Sequence, residues 1–314
     1  MYSARAMERR LRIPLAPPYD FALTASFFAR FDTEIVDRFS DGVFRRALWV
    51  KGRAMAVRVR PAPRSLAVRL AGARVTAADV AAVRRTVTRM FGVGQDLAGF
   101  YRMARRDPVL ARTLPRLRGL YVASYASLFE ALVIAILSQQ ITVRFANALK
   151  GRLVEAYGTR VRLGGETLWA FPRPEDLAEA KVAHLRGMQL STRKGEYVVG
   201  LARAFTHGAW DDAGLAALDD EAFVRRVATL RGLGRWSAEW ALIRALGRPD
   251  LLPADDVGVQ RAISEGYFRG RKVTPRMVDR FGQRWRPYRS LAISYLFTAR
   301  RLGLFRRADL GGGT

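Results

Sequence analysis

The sequence predicts an α+β protein, a small N-terminal mixed α/β domain followed by an all-α body. Two observations predict it. Strand-type alternation is confined to roughly the first third of the chain. Beyond residue 96 apolar residues recur at helical spacing between glycine stops. A length of 314 residues, half hydrophobic and about a quarter charged, suits two globular domains with a sizeable core. The expected limits are 14–95 and 96–305, with 1–13 and 306–314 as flexible tails.

The opening "MYSARAMERRLRI" is basic and lacks the apolar centre of a secretory signal, so it reads as a loose arm. "FALTASFFARF" (21–31) and "RALWVKGRAMAVRVR" (46–60) carry strand alternation, and "SLAVRLAG" (65–72) repeats it after a proline-containing turn. Met55, Val57 and Val59 fall on one face of that pattern, and Ala56, Arg58 and Arg60 on the other. "AADVAAVRRTVTRMFG" (77–92) then has helical spacing and ends at a glycine. A long helical stretch runs over 127–158 to Gly158, and further helices are expected over 173–187, 192–205, 219–232 and 274–303.

The net charge of +26 and pI of about 11.4 form a field that draws in a polyanion, usually nucleic acid. Only five of the 54 basic residues are lysines, so guanidinium groups would make nearly every phosphate contact. No apolar run approaches the length of a membrane span and no segment is a basic amphipathic anchor, so no membrane partner is expected. The expected location is the cytoplasm, on the nucleoid if the source is bacterial. The absence of cysteine excludes disulfides, thiol nucleophiles and cysteine-held iron–sulfur clusters. His184 and His207 have no companion at ligand spacing, which argues against histidine acid–base chemistry.

"LRGLGRWSA" (230–238) joins two helices through Gly232, Leu233 and Gly234. Two glycines around one apolar residue permit a tight turn with outward N–H groups, and the next helix adds its own N-terminal N–H groups. A phosphate fits there, with Arg235 able to add a charge. An ordinary αα-corner fits the same residues equally well. A dinucleotide-binding loop does not, because no strand precedes the turn and no third glycine follows.

This segment resembles the helix–hairpin–helix of the DNA glycosylase superfamily, in which the hairpin (here about 219–247) is followed by a Gly/Pro-rich loop and an aspartate. Here those parts are "LRGLGRWSA", "GRPDLLPA" (247–254) and Asp256. The resemblance is to the AlkA-type, DNA-3-methyladenine glycosylase II branch. It extends through "PYDFALT" (18–24), "DLAGFYRMARRDPVL" (96–110), "SLFEALVIAILSQQIT" (127–142) and "RWRPYRSLAISYLF" (284–297). It implies a helical body of two subdomains with a cleft between them, working as a monomer on double-stranded DNA that contains alkylated bases.

The adjacent acids Asp255 and Asp256 precede the apolar pattern of a helix, where either could serve as an N-cap. The resemblance assigns Asp256 to catalysis and leaves Asp255 as the cap. Cleaving a base from deoxyribose passes through an oxocarbenium-like sugar, which a nearby carboxylate stabilises most in the transition state. At ~4 Å and an effective dielectric near ~20 such a contact is worth about 4 kcal/mol, roughly a thousandfold in rate.

The flipped base needs an aromatic pocket, because electron-poor alkylated purines favour electron-rich ring faces. Trp236 and Trp240 share one face of the second hairpin helix and match the family's base pocket, as does Phe297. Core filler is the alternative for these rings, nearly as good as the pocket for Phe297, whereas Trp236 is the better pocket candidate because the first turn of its helix points towards the loop of Asp256. Val257 stands where some relatives carry another ring. Lyase-competent relatives place a lysine at the position of Trp236. The resemblance therefore implies a monofunctional hydrolase without AP-lyase activity. Gln139 and Gln140 would face DNA, with Gln140 filling the gap left by the flipped base, though a polar helix end explains them too. Gly232, Leu233, Gly234, Arg235 and Ser237 would contact the DNA backbone. A sodium or potassium ion on the carbonyls of Leu230 and Leu233 is also implied, and no organic cofactor. A glycosylase for uracil, hypoxanthine or an oxidised purine, and a non-catalytic binder of damaged DNA, remain the alternatives.

Overall fold

The computed structural model describes residues 7–305 except 29, 32 and 164. Its N-terminal part is a five-stranded antiparallel sheet of β1 (Met7–Pro14), β2 (Arg38–Ser40), β3 (Val43–Val50), β4 (Arg53–Ala62) and β5 (Ser65–Gly72). β1 forms one edge beside β5 and β2 forms the other beside β3. The expectation of a loose arm over 1–13 is corrected for residues 7–13. Leu11 and Ile13 alternate inward at 7% and 3% exposure, and the strand registers on β5 from Met7↔Gly72 to Pro14↔Ser65. Residues 1–6 and the expected C-terminal tail, 306–314, lie outside the described residues.

The strand expected over 21–31 is instead a short helix, α1 (Phe21–Ala25). Asp20 caps it, accepting from the Leu23 N–H at 2.8 Å. Phe21, Thr24, Ala25 and Phe28 are buried, a three-to-four-residue period that the surrounding apolar residues hide in the sequence. The run 46–60 is two strands around Lys51 and Gly52, whose φ values of 48° and 72° make the left-handed pair of a tight hairpin. Met55, Val57 and Val59 face the core shared with α2 (Ala77–Met90). On the opposite face the small residues Ala47 and Ala56 admit a second hairpin, β6 (Thr159–Leu163) and β7 (Glu166–Ala170), through Leu168 and Ala170. That hairpin was not expected.

The body comprises α3 (Leu97–Ala104), α4 (Leu110–Leu117), α5 (Leu128–Ser138), α6 (Val143–Tyr157), α7 (Pro174–Ala178), α8 (Val182–Gly187), α9 (Thr192–Thr206), α10 (Asp212–Ala217), α11 (Asp220–Ala228), α12 (Arg235–Arg244), α13 (Val257–Tyr267), α14 (Pro275–Gly282) and α15 (Arg289–Arg301). The stretch 127–158 is two helices. α5 is buried on nearly every side, and Thr142 starts α6 afresh by accepting from the Phe145 N–H. Sheet and body meet at a buried ionic cluster. Arg46 of β3 donates to Asp37 at 2.8 Å and to Glu130 of α5 at 3.0 Å, while Lys150 of α6 reaches Glu34 and Asp37. No helix among the described residues is long and apolar enough to cross a membrane.

Candidate active site

The hairpin between α11 and α12 turns at Gly232, whose φ of 90° is open to glycine at little cost. A Cβ there would fall 2.2 Å from the Tyr197 ring, so this glycine also allows a close approach. Leu233 plugs the core at 5% exposure, which leaves main chain as the turn's outward surface. Gln139 donates from Nε2 to the Gly232 carbonyl at 2.7 Å, and Lys194 Nζ ties down the carbonyls of Leu137 and Gln139 at 2.7 and 2.8 Å. The α5–α6 turn and the hairpin are thus one braced surface.

Gly234 is the N-cap of α12 and offers no side-chain oxygen to the first N–H groups of that helix. Those donors point to an exposed edge, the arrangement that receives a phosphate. Two of the side chains expected to help are placed otherwise. Ser237 is 1% exposed and faces inward, so its hydroxyl is not available to DNA. Arg235 is held by Glu221 of α11 at 2.7 and 3.0 Å and by Glu239 at 3.4 Å, so in this structure it braces the hairpin while its side chain stays about half exposed. Its partner Glu221 lies 14 residues back on another helix, beyond what spacing along one helix can reveal.

Asp256 is the N-cap of α13. Its Oδ1 accepts from the Val259 N–H at 2.8 Å, and its Oδ2 accepts from Trp236 Nε1 at 2.7 Å and from Trp240 Nε1 at 3.1 Å. The expected division of labour is therefore corrected. Asp255 is exposed and caps nothing, and Asp256 itself holds the start of the helix. The side chain sits half-buried at the mouth of the site, fixed at both oxygens with lone pairs to spare.

Trp236, Trp240 and Phe297 are brought together. The Trp240 and Phe297 rings stack at 6.0 Å between centroids with 25° between planes, and Phe297 approaches the Cα of Gly258 beside Asp256. All three are partly exposed, so none is sealed core. Val257 lies at the rim at 59% exposure. Gln140 is exposed and takes a left-handed φ of 57°. Just beyond it Val143 and Phe145, 61% and 39% exposed, present apolar surface that the sequence analysis did not single out. The signal was available for Phe145, which falls off the phase of the buried α6 stripe Ala146, Leu149, Leu153; Val143 keeps that phase and is exposed because α6 begins there. Arg244 and Phe27 were also missed. Arg244 continues the α12 face one turn beyond Trp240, and its guanidinium lies 5.6 Å from the Trp240 ring centre and 4.4 Å from that of Phe27.

A hairpin that bares helix N–H groups beside a carboxylate held by two indoles defines a helix–hairpin–helix protein equipped to act on DNA. Two family models match the chain. One, the HhH-GPD superfamily base excision DNA repair protein, covers residues 133–287, and the other, the AlkA N-terminal domain, covers 10–127. A DNA-3-methyladenine glycosylase of Bacillus subtilis is 33% identical over 207 residues, 66% of this chain and 68% of that protein. DNA-3-methyladenine glycosylase 2 of Escherichia coli is 28% identical over 284 residues, 90% of this chain and 94% of that one. The solved 3-methyladenine DNA-glycosylase of Archaeoglobus fulgidus superposes with a TM-score of 0.84 at 30% identity, covering 93% of this chain and 98% of its own. The chain belongs to the HhH-GPD superfamily of base excision DNA repair proteins, in its AlkA-type DNA-3-methyladenine glycosylase branch.

Proposed function

We propose that the protein is a monofunctional DNA glycosylase that hydrolyses the N-glycosidic bond of alkylated purines, of the 3-methyladenine and 7-methylguanine type, as the first step of base excision repair. The observation that carries this reading is the Asp256 carboxylate, immobilised by Trp236 and Trp240 at the start of α13. A preorganised negative charge needs no rearrangement when the sugar becomes positive.

The hairpin N–H groups grip a backbone phosphate, and the exposed turn at Gln140 with Val143 and Phe145 props the gap left by the flipped nucleotide. The base lodges against Trp236, Trp240 and Phe297. The C1′–N bond breaks with its electron pair passing to the base, Asp256 stabilises the oxocarbenium sugar, and water adds to C1′ and gives up a proton. A purine cationic from alkylation departs neutral, so no proton donor is required. That agrees with a chain whose two histidines serve elsewhere: His184 accepts from or donates to Tyr157, and His207 ends α9.

The protein works as a monomer on double-stranded DNA. Trp236 leaves no amine at the position from which a Schiff base would form, and Lys194 is committed to main-chain carbonyls. The hairpin carbonyls of Leu230 and Leu233 would hold a monovalent cation, the Leu230 oxygen while also accepting from the Leu233 N–H. Neutral carbonyl donors would suit sodium or potassium.

Incubation with methylated DNA and chromatography of the released bases tests the reading. Asp256→Asn should abolish release, by about a thousandfold, while DNA affinity is retained. Equal inertness of wild type and variant on methylated DNA and on uracil, hypoxanthine and oxidised-purine duplexes would instead make the protein a non-catalytic binder.

A further inference from the structure

Arg244 is an anomaly. It is 7% exposed, yet among the described residues it forms no ion pair with any carboxylate. Its side chain makes one hydrogen bond, from Nη1 to the Ala123 carbonyl at 3.0 Å. Nε and Nη2 have no protein partner among the described residues. A buried charge left this way is costly unless something else meets it. Burial pushes its pKa down to about 9, which still leaves the group charged at neutral pH.

Its surroundings define a direction. Trp236, Trp240 and Arg244 follow one another at four-residue steps along one face of α12. On the facing helix α15, Phe297 is followed four residues later by Arg301, which donates to Ser26 Oγ at 2.8 Å. Phe27, next in the chain, packs under the Arg244 guanidinium at 4.4 Å. The aromatic residues beside Asp256 therefore lead to a guanidinium floor at Arg244. A floor of this kind repels a positive edge and pairs with an acceptor or a negative one.

We propose that Arg244 is a specificity-determining residue whose unpartnered N–H groups receive the exocyclic oxygen of a flipped 6-oxopurine. The proposal rests on the glycosylase reading above and names the substrate class within it. Recognition continues into the reaction. As the C1′–N9 bond breaks, the electron pair spreads over the purine onto its oxygen, where the guanidinium stabilises it. Water supplies the new bond to C1′ and its proton goes to solvent, from which the departing base takes one when it leaves as an anion. A neutral 6-oxopurine such as hypoxanthine needs this help most, and 7-methylguanine presents the same oxygen. 3-Methyladenine presents an amino group there and gains nothing.

Methylated DNA supplies both kinds of base in one reaction, so the ratio of released 7-methylguanine to 3-methyladenine cancels any general loss of enzyme. Arg244→Met should lower that ratio roughly tenfold, as expected for a lost charged hydrogen bond, and Arg244→Lys should recover part of it. A ratio unchanged from wild type, with both bases falling together, would show a purely structural arginine and overturn the proposal. A second measurement needs neither a variant nor turnover. Quenching of tryptophan fluorescence in the wild-type protein should show tighter binding of free hypoxanthine and 7-methylguanine than of adenine and 3-methyladenine. Equal affinities would overturn the proposal even in an active glycosylase, and a preference for oxopurines without base release would sink the glycosylase reading alone.

Discussion

Trp236 Nε1 lies 2.7 Å from Asp256 Oδ2, and that bond joins the hairpin helix to the helix that follows it 20 residues later. Trp240 adds a second indole donor to the same oxygen at 3.1 Å. The indoles thus wall the pocket and also orient the carboxylate, two duties that substitution can separate. Trp240→Phe keeps an aromatic face and removes the N–H. A hydrogen bond to a charged group is worth about 1.5–3 kcal/mol, so single-turnover base release should slow roughly 10- to 100-fold. DNA affinity, measured by fluorescence anisotropy on a duplex with an abasic-site analogue, should stay within twofold. A matching loss of affinity would mean that the ring, and not its N–H, does the work.

The two hairpin glycines should fail in different ways. Gly232→Ala places a Cβ into the Tyr197 ring at a φ of 90°, so both Tm and DNA affinity should fall. Adding Tyr197→Ala should return part of the lost Tm and not all of it, since a left-handed alanine still costs about 1 kcal/mol. Gly234 has an ordinary φ of −129° and open space where a Cβ would go. Gly234→Ala should therefore leave Tm unchanged and weaken DNA binding, because the methyl group intrudes only where a phosphate would sit. Melting curves and binding isotherms on the same preparations check both.

What the sequence revealed follows from the range of the interactions. Asp256, the hairpin glycines and the two tryptophans lie within 25 residues of one another, and helical spacing alone sets their relation. The Glu221 partner of Arg235 comes from the neighbouring helix, where no local spacing points to it. Asp255 was given the cap that Asp256 holds, since adjacent acids before a helix look alike until φ and ψ are known. Arg244 under Phe27 is a contact across more than two hundred residues between loop and body, which no local pattern encodes. Residues 7–13 read as a basic arm in the sequence because arginines fill the outward positions of a strand whose inward ones are Leu11 and Ile13. The β6–β7 hairpin was different: "TRVRLGGETLWA" carries alternation around a glycine pair, a local signal that was passed over.

Glu239 gives a pH test. Burial pushes its pKa up to about 7 against the pull of Arg235, with Asp255 and Glu221 adding repulsion. An acid with a raised folded pKa binds more protons folded than unfolded between about 4.5 and 7, so stability falls as pH rises through that window. Glu239→Gln removes the dependence. Its Tm should exceed that of wild type at pH 8.5, and the gain should shrink towards pH 5. Arg235 keeps Glu221 in the variant, so the hairpin brace survives. A gain in Tm that is the same at both pH values would exclude Glu239 as its source.

Arg46 should be the most sensitive single position between the sheet and the helical body. Its guanidinium is 2% exposed and serves Asp37 and Glu130, each 1% exposed, with Lys150 completing the cluster. Arg46→Met leaves three carboxylates, Asp37, Glu130 and Glu34, to the one ammonium of Lys150 and should cost about 3–5 kcal/mol, read as a lower urea midpoint. Glu130→Gln should cost far less. Burial already raises the pKa of Glu130, and its Oε1 has no hydrogen-bond partner among the described residues, so a neutral amide gives up little there. If the two variants lose equal stability, the cluster is held by shape and not by charge. If Glu130→Gln is neutral while Arg46→Met unfolds early, the guanidinium is the keystone between the two parts and the acids are its ligands.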